Sequence, residues 1–236
     1  MSVRWIIFAL TFSLLLSSII TAQEKGTVTD IDGNKYQTVK IGDQLWMAEN
    51  LRVIRYRNGD AIPTGLSDNA WQNTTSNAYA IYPHDDVDGI SSEAGVVAAY
   101  GRLYNWYAVA DSRGLCPPGW HVPTDTEWTT LVNYLGGYVD AGGKMKSIRA
   151  EPDPHPRWKR PNIGATNESG FSGLPGGARG VDSSYDATGS GGLWWSSTES
   201  SAKNAWYRFL NYNFSFVNRS SNDKRSGFSV RCLRDD

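Results

Sequence analysis

The side chains that could carry out catalysis or bind a metal are scattered along this sequence. Its three histidines, His84, His121 and His155, lie far apart, and none has a second histidine at the His-x-x-x-His spacing. A metal site normally needs at least three ligands. Ser196, Ser197 and Thr198 precede a carboxylate but have no histidine base near them in sequence, and no nucleophile elbow, phosphate-binding loop or zinc-protease motif occurs. The sequence therefore predicts no catalytic residue, no metal site and no enzyme activity.

Two acidic segments raise the question of calcium. Asp30, Asp32 and Asn34 alternate like the first ligands of an EF-hand loop, but the twelfth position is Ile41 instead of glutamate. The segment 84–89 places three carboxylates in four positions without further ligand spacing. We interpret the first segment as a turn whose polar residues stabilise the turn itself, and the second as an exposed acidic turn. No cofactor is predicted, and calcium is the one alternative left open.

Tryptophan offers a binding chemistry instead, because sugars stack their C–H faces on aromatic rings. The chain has 10 tryptophans in 236 residues. Trp194 and Trp195 are adjacent on a predicted strand, so their side chains point to opposite faces, and we expect one in the core and the other at the surface. Trp158 lies in a proline-rich stretch and Trp71 in a polar one. These four are the predicted ligand-binding residues, and core packing is the alternative for each.

The first residues have the pattern of a secretory signal peptide, over residues 1–22. Arg4 precedes an almost unbroken apolar run from Trp5 to Ile20. An uncleaved membrane anchor is the alternative. No later apolar run is long enough to span a membrane, so we expect no membrane insertion after signal cleavage. The expectation is one domain over residues 23–236 that is secreted, held at the cell surface or periplasmic.

Charge and cysteine content narrow the class of protein further. The formal net charge of the chain is −1, which argues against a protein that binds nucleic acid through a basic surface. Cys116 and Cys232 are the two cysteines, and export permits a disulfide between them. Closing so long a loop stabilises a fold by about 4–5 kcal/mol in the chain-entropy model. Two buried free thiols are the alternative.

Local patterns predict a mixed α and β chain. Asp32-Gly33 between β-prone runs indicates a hairpin, with another short strand over residues 44–47. Apolar spacing predicts a helix over residues 100–110. Thr124-Asp125-Thr126-Glu127 is a capping box that begins a helix, which Gly136-Gly137 ends.

The second half of the chain is predicted to be richer in loops. A short helical piece is expected over residues 144–148, and an ordered loop region over residues 151–192. Strands follow over residues 193–197, 205–210, 214–219 and 227–233. In the last of these, Phe228, Val230 and Cys232 share one face.

Several motifs in one order carry a resemblance over nearly all of residues 23–236. They are Trp46-Met47-Ala48-Glu49-Asn50-Leu51, Tyr100-Gly101-Arg102-Leu103-Tyr104-Asn105-Trp106, Cys116-Pro117-Pro118-Gly119-Trp120-His121-Val122-Pro123, Gly170-Phe171-Ser172-Gly173-Leu174-Pro175-Gly176-Gly177, Trp194-Trp195-Ser196-Ser197-Thr198-Glu199 and Gly227-Phe228-Ser229-Val230-Arg231-Cys232. The chain resembles the Fibrobacter major paralogous domain (FISUMP) family of exported bacterial proteins. The segment 151–156 looks like an insertion relative to the family pattern.

The resemblance implies a fold of the C-type lectin-like and sulfatase-modifying-factor superfamily. Such a fold is α+β, with two or three short helices packed on small antiparallel sheets and long ordered loops. The family carries no assigned catalytic residue, so none is transferred. Formylglycine-generating enzymes hold copper with two closely spaced cysteines near the C-terminus, whereas only Cys232 lies there. The calcium-dependent sugar signature of C-type lectins is also absent.

These observations favour binding over catalysis. Long loops on a rigid scaffold commonly carry recognition. We expect an exported binding or adhesion module that recognises a polysaccharide or cell-surface glycan through loop aromatics. A protein partner or a structural surface role is the first alternative, and a metal-dependent oxidase related to sulfatase-modifying factors is the second.

Overall fold

The fold is built around two five-stranded sheets in a computed structural model that describes residues 25–236. The predicted signal peptide, residues 1–22, lies outside the described residues. The first sheet has the order β1-β2-β3-β12-β6 and the second β11-β10-β9-β7-β8. The strands are β1 Lys25–Thr29, β2 Lys35–Ile41, β3 Gln44–Met47, β4 Tyr79–Ala80, β5 Leu103–Tyr104, β6 Trp120–His121, β7 Gly176–Arg179, β8 Tyr185–Thr188, β9 Gly191–Glu199, β10 Asn204–Asn211, β11 Asn218–Asp223 and β12 Leu233–Arg234.

Short helices complete the α+β architecture that the sequence predicts. They are α1 Asp68–Asn73, α2 Glu93–Tyr100, α3 Trp106–Val109, α4 Asp125–Tyr134 and α5 Tyr138–Met145. Neighbouring strands in the two five-stranded sheets are antiparallel, except that β7 and β9 are parallel, and β4 pairs with β5 in a separate antiparallel pair. Within residues 25–236, no helix is both long enough and apolar enough to cross a membrane.

The predicted N-terminal hairpin is confirmed, and its acidic residues serve the turn. The Asp30 carboxylate accepts hydrogen bonds from the backbone N–H groups of Asp32 and Asn34, both at 2.9 Å. It also accepts from the Asn34 amide at 2.8 Å and from the Tyr36 hydroxyl at 2.6 Å. Both Asp30 oxygens are thus occupied by the protein, in keeping with the interpretation as turn chemistry.

The capping box at the start of α4 is also confirmed. The Thr124 hydroxyl accepts from the Glu127 N–H at 3.2 Å, and Glu127 accepts from the Thr124 N–H at 2.7 Å. Two otherwise unpaired donors at the helix N-terminus are satisfied in this way. Trp128 and Leu131 are buried on the inner face of the helix, as the apolar spacing predicts.

His121 joins the C-terminal segment to the start of α4 and gives the fold a pH dependence. Its Nδ1 lies 2.6 Å from an Asp235 carboxylate oxygen and its Nε2 lies 2.9 Å from Glu127. Burial alone would lower the pKa of His121, but the hydrogen bonds to Asp235 and Glu127 outweigh burial and raise it. The proton is therefore bound more tightly in the folded chain. Its stabilising contribution is complete below the unfolded pKa of about 6.5 and is lost as pH rises through the raised folded pKa.

We therefore expect the stability gap between the wild type and His121→Gln to shrink on going from about pH 5.5 to about pH 8.5. Urea unfolding at several pH values measures this gap directly. A gap that stays constant over that range would mean that the imidazolium does not contribute.

Two helix predictions need correction. The predicted helix over residues 100–110 is divided, because α2 ends at Tyr100 and Leu103 lies on β5. Gly101 has a φ of +80°, and a Cβ there would lie 2.8 Å from the Asn50 Cβ, so the chain turns where it packs against that segment. The predicted piece over residues 144–148 is instead the end of α5, Tyr138–Met145.

Lys146, the residue that follows α5, ties the end of this helix to distant parts of the chain. Its side chain is fully buried, and its Nζ donates to the carbonyls of Ile163, Asn211 and Phe214 at 2.7, 3.0 and 2.8 Å. Burial lowers the pKa of this amine to about 8. The ammonium holds loops from two distant parts of the chain against the helix end, a contact that helical periodicity does not reveal.

Strands do form in the second half of the chain where they were predicted, but their bounds differ from the predicted ones. β7 and β8 lie inside the predicted loop region 151–192. β10 pairs antiparallel with β11 as predicted, but the connection is longer than the expected turn at residues 211–213. The predicted strand over residues 227–233 is reduced to β12 and isolated bridges.

Two large cores lie on opposite sides of β9. Trp195 packs in the first core with Phe228, Val230 and Cys232, which confirms the predicted shared face. Trp194 packs in the second core, where rings form a chain of contacts with centroid distances of 4.7–5.8 Å. Cys116 and Cys232 form the predicted disulfide, with a Cα–Cα distance of 5.9 Å, inside the first core.

Candidate functional site

The four tryptophans predicted to bind a ligand are all in the interior. Trp71, Trp158, Trp194 and Trp195 each have an exposed fraction of 0%. The expectation that one member of the adjacent pair reaches the surface is therefore wrong. Their side chains do point to opposite faces, but both faces of β9 are covered, one by each core.

Each of these indoles also uses its N–H inside the protein. Trp71 donates to the Gly180 carbonyl and Trp158 to the Gly173 carbonyl, both at 3.0 Å. Trp194 and Trp195 donate to the Asn50 amide oxygen and the Tyr104 carbonyl, both at 2.9 Å. Buried rings whose donors are satisfied fix the loops to the sheets, and they present no surface for a sugar.

A concave site lies elsewhere, between two loops. One loop is residues 84–89, which we call the acidic loop, and the other is residues 151–159, which we call the proline-rich loop. The cleft between them has a volume of about 350 Å³, within the range of ligand sites in proteins. Its charged lining is Asp85, Asp86, Asp88, Glu151, Arg157 and Lys159.

His155 ties the proline-rich loop to the acidic loop and to α2. Its Nδ1 lies 2.5 Å from the Tyr100 hydroxyl, and its Nε2 lies 3.1 Å from Asp88. The Tyr100 hydroxyl accepts from the Arg157 backbone N–H at 3.2 Å and lies 3.3 Å from the Arg157 carbonyl, so it can donate to that carbonyl or to His155. Because a carboxylate only accepts hydrogen bonds, the Nε2 that faces Asp88 carries a hydrogen.

Arg157 adds a second tie between the same loops. Its guanidinium lies 2.6 Å from the other Asp88 oxygen and 3.5 Å from Glu151. The Arg157 side chain is 10% exposed, whereas Asp88 is 80% exposed. The carboxylate therefore faces the solvent while its partners lie beneath it.

Hydrogen bonds, a nearby charge and burial shift the pKa values of Asp88 and Tyr100 in this network. The hydrogen bond from His155, followed by the nearby charge of Arg157, lowers the pKa of Asp88. Burial raises the pKa of Tyr100 to about 12, so its hydroxyl keeps its proton and can donate to His155. The outer wall of the cleft thus presents carboxylates, of which Asp88 is held from beneath by His155 and Arg157, and Glu151 by Arg157.

The polar side chains that line the cleft are suited to binding a ligand through hydrogen bonds. Tyr100 is 2% exposed, so its hydroxyl holds His155 and does not face the cleft. In the part of the chain from residue 25 onward, no group of three or more His, Cys, Asp or Glu side chains could hold a metal ion. The polar groups that line the cleft are four carboxylates, the ammonium of Lys159, the Thr188 hydroxyl and the more deeply placed His155 and Arg157.

This site was not predicted from the sequence, because the two loops that form it are far apart along the chain. His155 and Asp88 are separated by 67 positions. The acidic loop alone reads as a solvated turn, and the proline-rich loop reads as an insertion. The only sequence signal was the length of the irregular region 151–192, since long ordered loops are commonly functional.

Comparisons with known proteins place the chain in a family. No curated protein and no solved structure matches it. The family model of the Fibrobacter succinogenes major domain matches residues 39–234. The match spans both sheets apart from β1 and the first four residues of β2, as well as the cleft and both cysteines. The chain therefore belongs to the Fibrobacter succinogenes major domain family.

Proposed function

We propose that this protein is an exported carbohydrate-binding module that holds an uncharged polysaccharide or glycan in the cleft between the acidic and proline-rich loops. The observation that carries the proposal is a cleft lined by four carboxylates on two loops, two of which, Asp88 and Glu151, pair with the buried Arg157. Carboxylate oxygens accept hydrogen bonds from sugar hydroxyls, and such charge-assisted bonds are about twice as strong as neutral ones.

The charge balance of the cleft selects among glycans. Four carboxylates line it against two cationic side chains, and Arg157 is already neutralised by Asp88 and Glu151. A uronate or sulfate group entering the cleft would meet repulsion. A ligand rich in hydroxyl donors and free of negative charge fits the wall best.

Both loops are held by hydrogen bonds within the protein without a ligand. The Glu151 N–H donates to the Trp158 carbonyl at 2.9 Å, and the Lys159 N–H donates to the Gly189 carbonyl at 2.7 Å. Trp158 anchors the C-terminal end of the proline-rich loop in the second core. Loops that are already ordered lose less conformational entropy on binding, which supports recognition of a weakly binding ligand such as a sugar.

The fold and the expected export of the chain also support the proposal. Small sheets that carry long ordered loops support a C-type lectin-like assignment. The apolar pattern of residues 1–22 supports export, and the disulfide fits an oxidising compartment. Binding is proposed over catalysis because the hydroxyl of the Tyr100–His155–Asp88 relay lies beneath the surface.

Affinity electrophoresis of the mature protein through gels that contain soluble β-glucan, xylan or mannan tests the proposal. At least one of these uncharged polymers should retard the wild type, equally in calcium and in chelator. The double variant Asp85→Ala/Asp86→Ala should bind about tenfold more weakly, as expected for the loss of about 1.4 kcal/mol of hydrogen bonding.

The matched control is Asp43→Ala/Asp140→Ala. It makes the same charge change at two exposed carboxylates away from the cleft, so its retardation should equal that of the wild type. Retardation by no uncharged polymer, or an equal loss in the control variant, would contradict the proposal.

A further inference from the structure

Trp206 differs from the other tryptophans in the described chain. Within residues 25–236 it is the only tryptophan that is not buried. Seven of the buried ones donate their indole N–H within the protein. The Trp206 N–H has no protein partner among the described residues. A half-exposed ring with an unused donor is available to a ligand.

Arg219 is stacked on this ring and held in place. Its guanidinium carbon lies 3.5 Å from the ring centre of Trp206. Its Nε and one terminal nitrogen donate to the same Asp125 oxygen at 3.0 and 2.8 Å. The other terminal nitrogen has no partner among residues 25–236, and the side chain is 45% exposed. The guanidinium is therefore fixed in orientation while part of it still faces solvent.

The surroundings of Arg219 carry an excess of positive charge. Asp125 is shared with Arg208, which is 2% exposed and donates to it at 2.7 Å. Burial alone would raise the pKa of Asp125, but hydrogen bonds from Arg219 and Arg208 hold it below its usual value. One ionised carboxylate thus faces two guanidinium groups. Ser221 lies opposite Trp206 on edge strand β11 and adds a hydroxyl to the same face.

We propose that Trp206 and Arg219 form a second binding site, which takes an acidic polysaccharide. The carboxylate or sulfate of one sugar unit lies against the unpartnered nitrogen of Arg219 and the indole N–H of Trp206. The C–H face of the sugar packs on the exposed part of the indole. This site stands apart from the proposed cleft, because the excess charge of the cleft is negative and would repel the same polymer.

The chain supplies a matched control for this site. Arg113 is also stacked on a ring, 4.2 Å from the ring centre of Tyr56, and is paired with Asp111 at 2.7 Å. The Tyr56 ring is fully buried, so it offers no sugar platform. Arg113→Gln and Arg219→Gln therefore remove the same charge, the same kind of stacking and the same kind of ion pair.

Affinity electrophoresis with polygalacturonate, dextran sulfate and uncharged dextran tests the proposal. We expect polygalacturonate or dextran sulfate to retard the wild type, less so as salt is raised, and dextran not to. Comparison of the first two polymers separates recognition of carboxylate from recognition of sulfate. Arg219→Gln and Trp206→Phe should each weaken binding about tenfold or more, whereas Arg113→Gln and the cleft variant Asp85→Ala/Asp86→Ala should match the wild type.

Fluorescence supplies a second readout, since Trp206 is the one tryptophan of residues 25–236 that is not buried and is therefore open to acrylamide. The bound acidic polymer should reduce acrylamide quenching in the wild type and not in Trp206→Phe. Absence of binding to both acidic polymers, or equal losses in Arg219→Gln and Arg113→Gln, would overturn the proposal. Neither result bears on the glycan cleft, which is tested separately with uncharged polymers.

Discussion

Replacing Arg231 by methionine is expected to destabilise the fold by about 2–6 kcal/mol, because two buried carbonyl groups lose their hydrogen-bond donor. Arg231 has an exposed fraction of 0%. Its guanidinium donates to the Asn50 amide oxygen and the Ser172 carbonyl, both at 3.0 Å, and to the Phe171 carbonyl. It also stacks over the Phe171 ring, 4.1 Å from the ring centre.

The size of this effect follows from the acceptors that would be left behind. Burial lowers the pKa of the Arg231 guanidinium, yet it stays charged at neutral pH. Asn50 keeps a donor from Trp194, but the two carbonyls of residues 171 and 172 would lose theirs in a dry core. Each unsatisfied buried group costs about 1–3 kcal/mol, and methionine cannot supply a donor.

Urea unfolding followed by tryptophan fluorescence measures the change. The control is Arg234→Met, three positions further along at an exposed site, which should stay within about 0.5 kcal/mol of the wild type. An Arg231→Met variant that unfolds at nearly the same urea concentration as the wild type would show that the buried guanidinium is dispensable.

Removing the disulfide with Cys116→Ser/Cys232→Ser is expected to lower the free energy of unfolding by about 4–5 kcal/mol. The two cysteines are 116 positions apart, so the bond restricts a long stretch of the unfolded chain. Both cysteines are also buried in the first core, at 2% and 0% exposed, where serine hydroxyls would need partners.

The same loss should follow from reducing the wild type. Unfolding curves of the double variant should therefore be insensitive to reductant, whereas those of the wild type should shift to lower urea when reductant is added. A wild type whose unfolding does not respond to reductant, after reduction is verified by thiol titration, would contradict a stabilising role for the bond.

Features specified by neighbouring residues were predictable from the sequence. The capping box at Thr124 and Glu127 and the turn at Asp32-Gly33 involve atoms a few positions apart, and both form as expected. The alternation of Phe228, Val230 and Cys232 also placed the correct face inward. The predicted helix over residues 100–110 failed, because its apolar spacing is shared between α2, β5 and α3, and Gly101 interrupts it.

The exposure of the tryptophans could not be predicted in the same way. Alternation correctly assigned Trp194 and Trp195 to opposite faces, but whether a second layer covers each face is decided by residues far along the chain. The candidate site has the same origin, since Asp88 meets His155 and Arg157 only in the fold. Trp206 was missed for the same reason, since its partner strand was expected over residues 214–219, whereas it pairs with β11, which is entirely polar.

The most direct test of the glycan cleft is a titration of the ¹⁵N-labelled mature protein with a soluble oligosaccharide of the best-retarding uncharged polymer. We expect the backbone amide signals of residues 85–88 and of the non-proline residues within 151–159 to move together and to saturate with one dissociation constant. The Asp85→Ala/Asp86→Ala variant should need about ten times more ligand. Saturating shifts confined to other parts of the chain would contradict the central claim that this cleft holds the sugar.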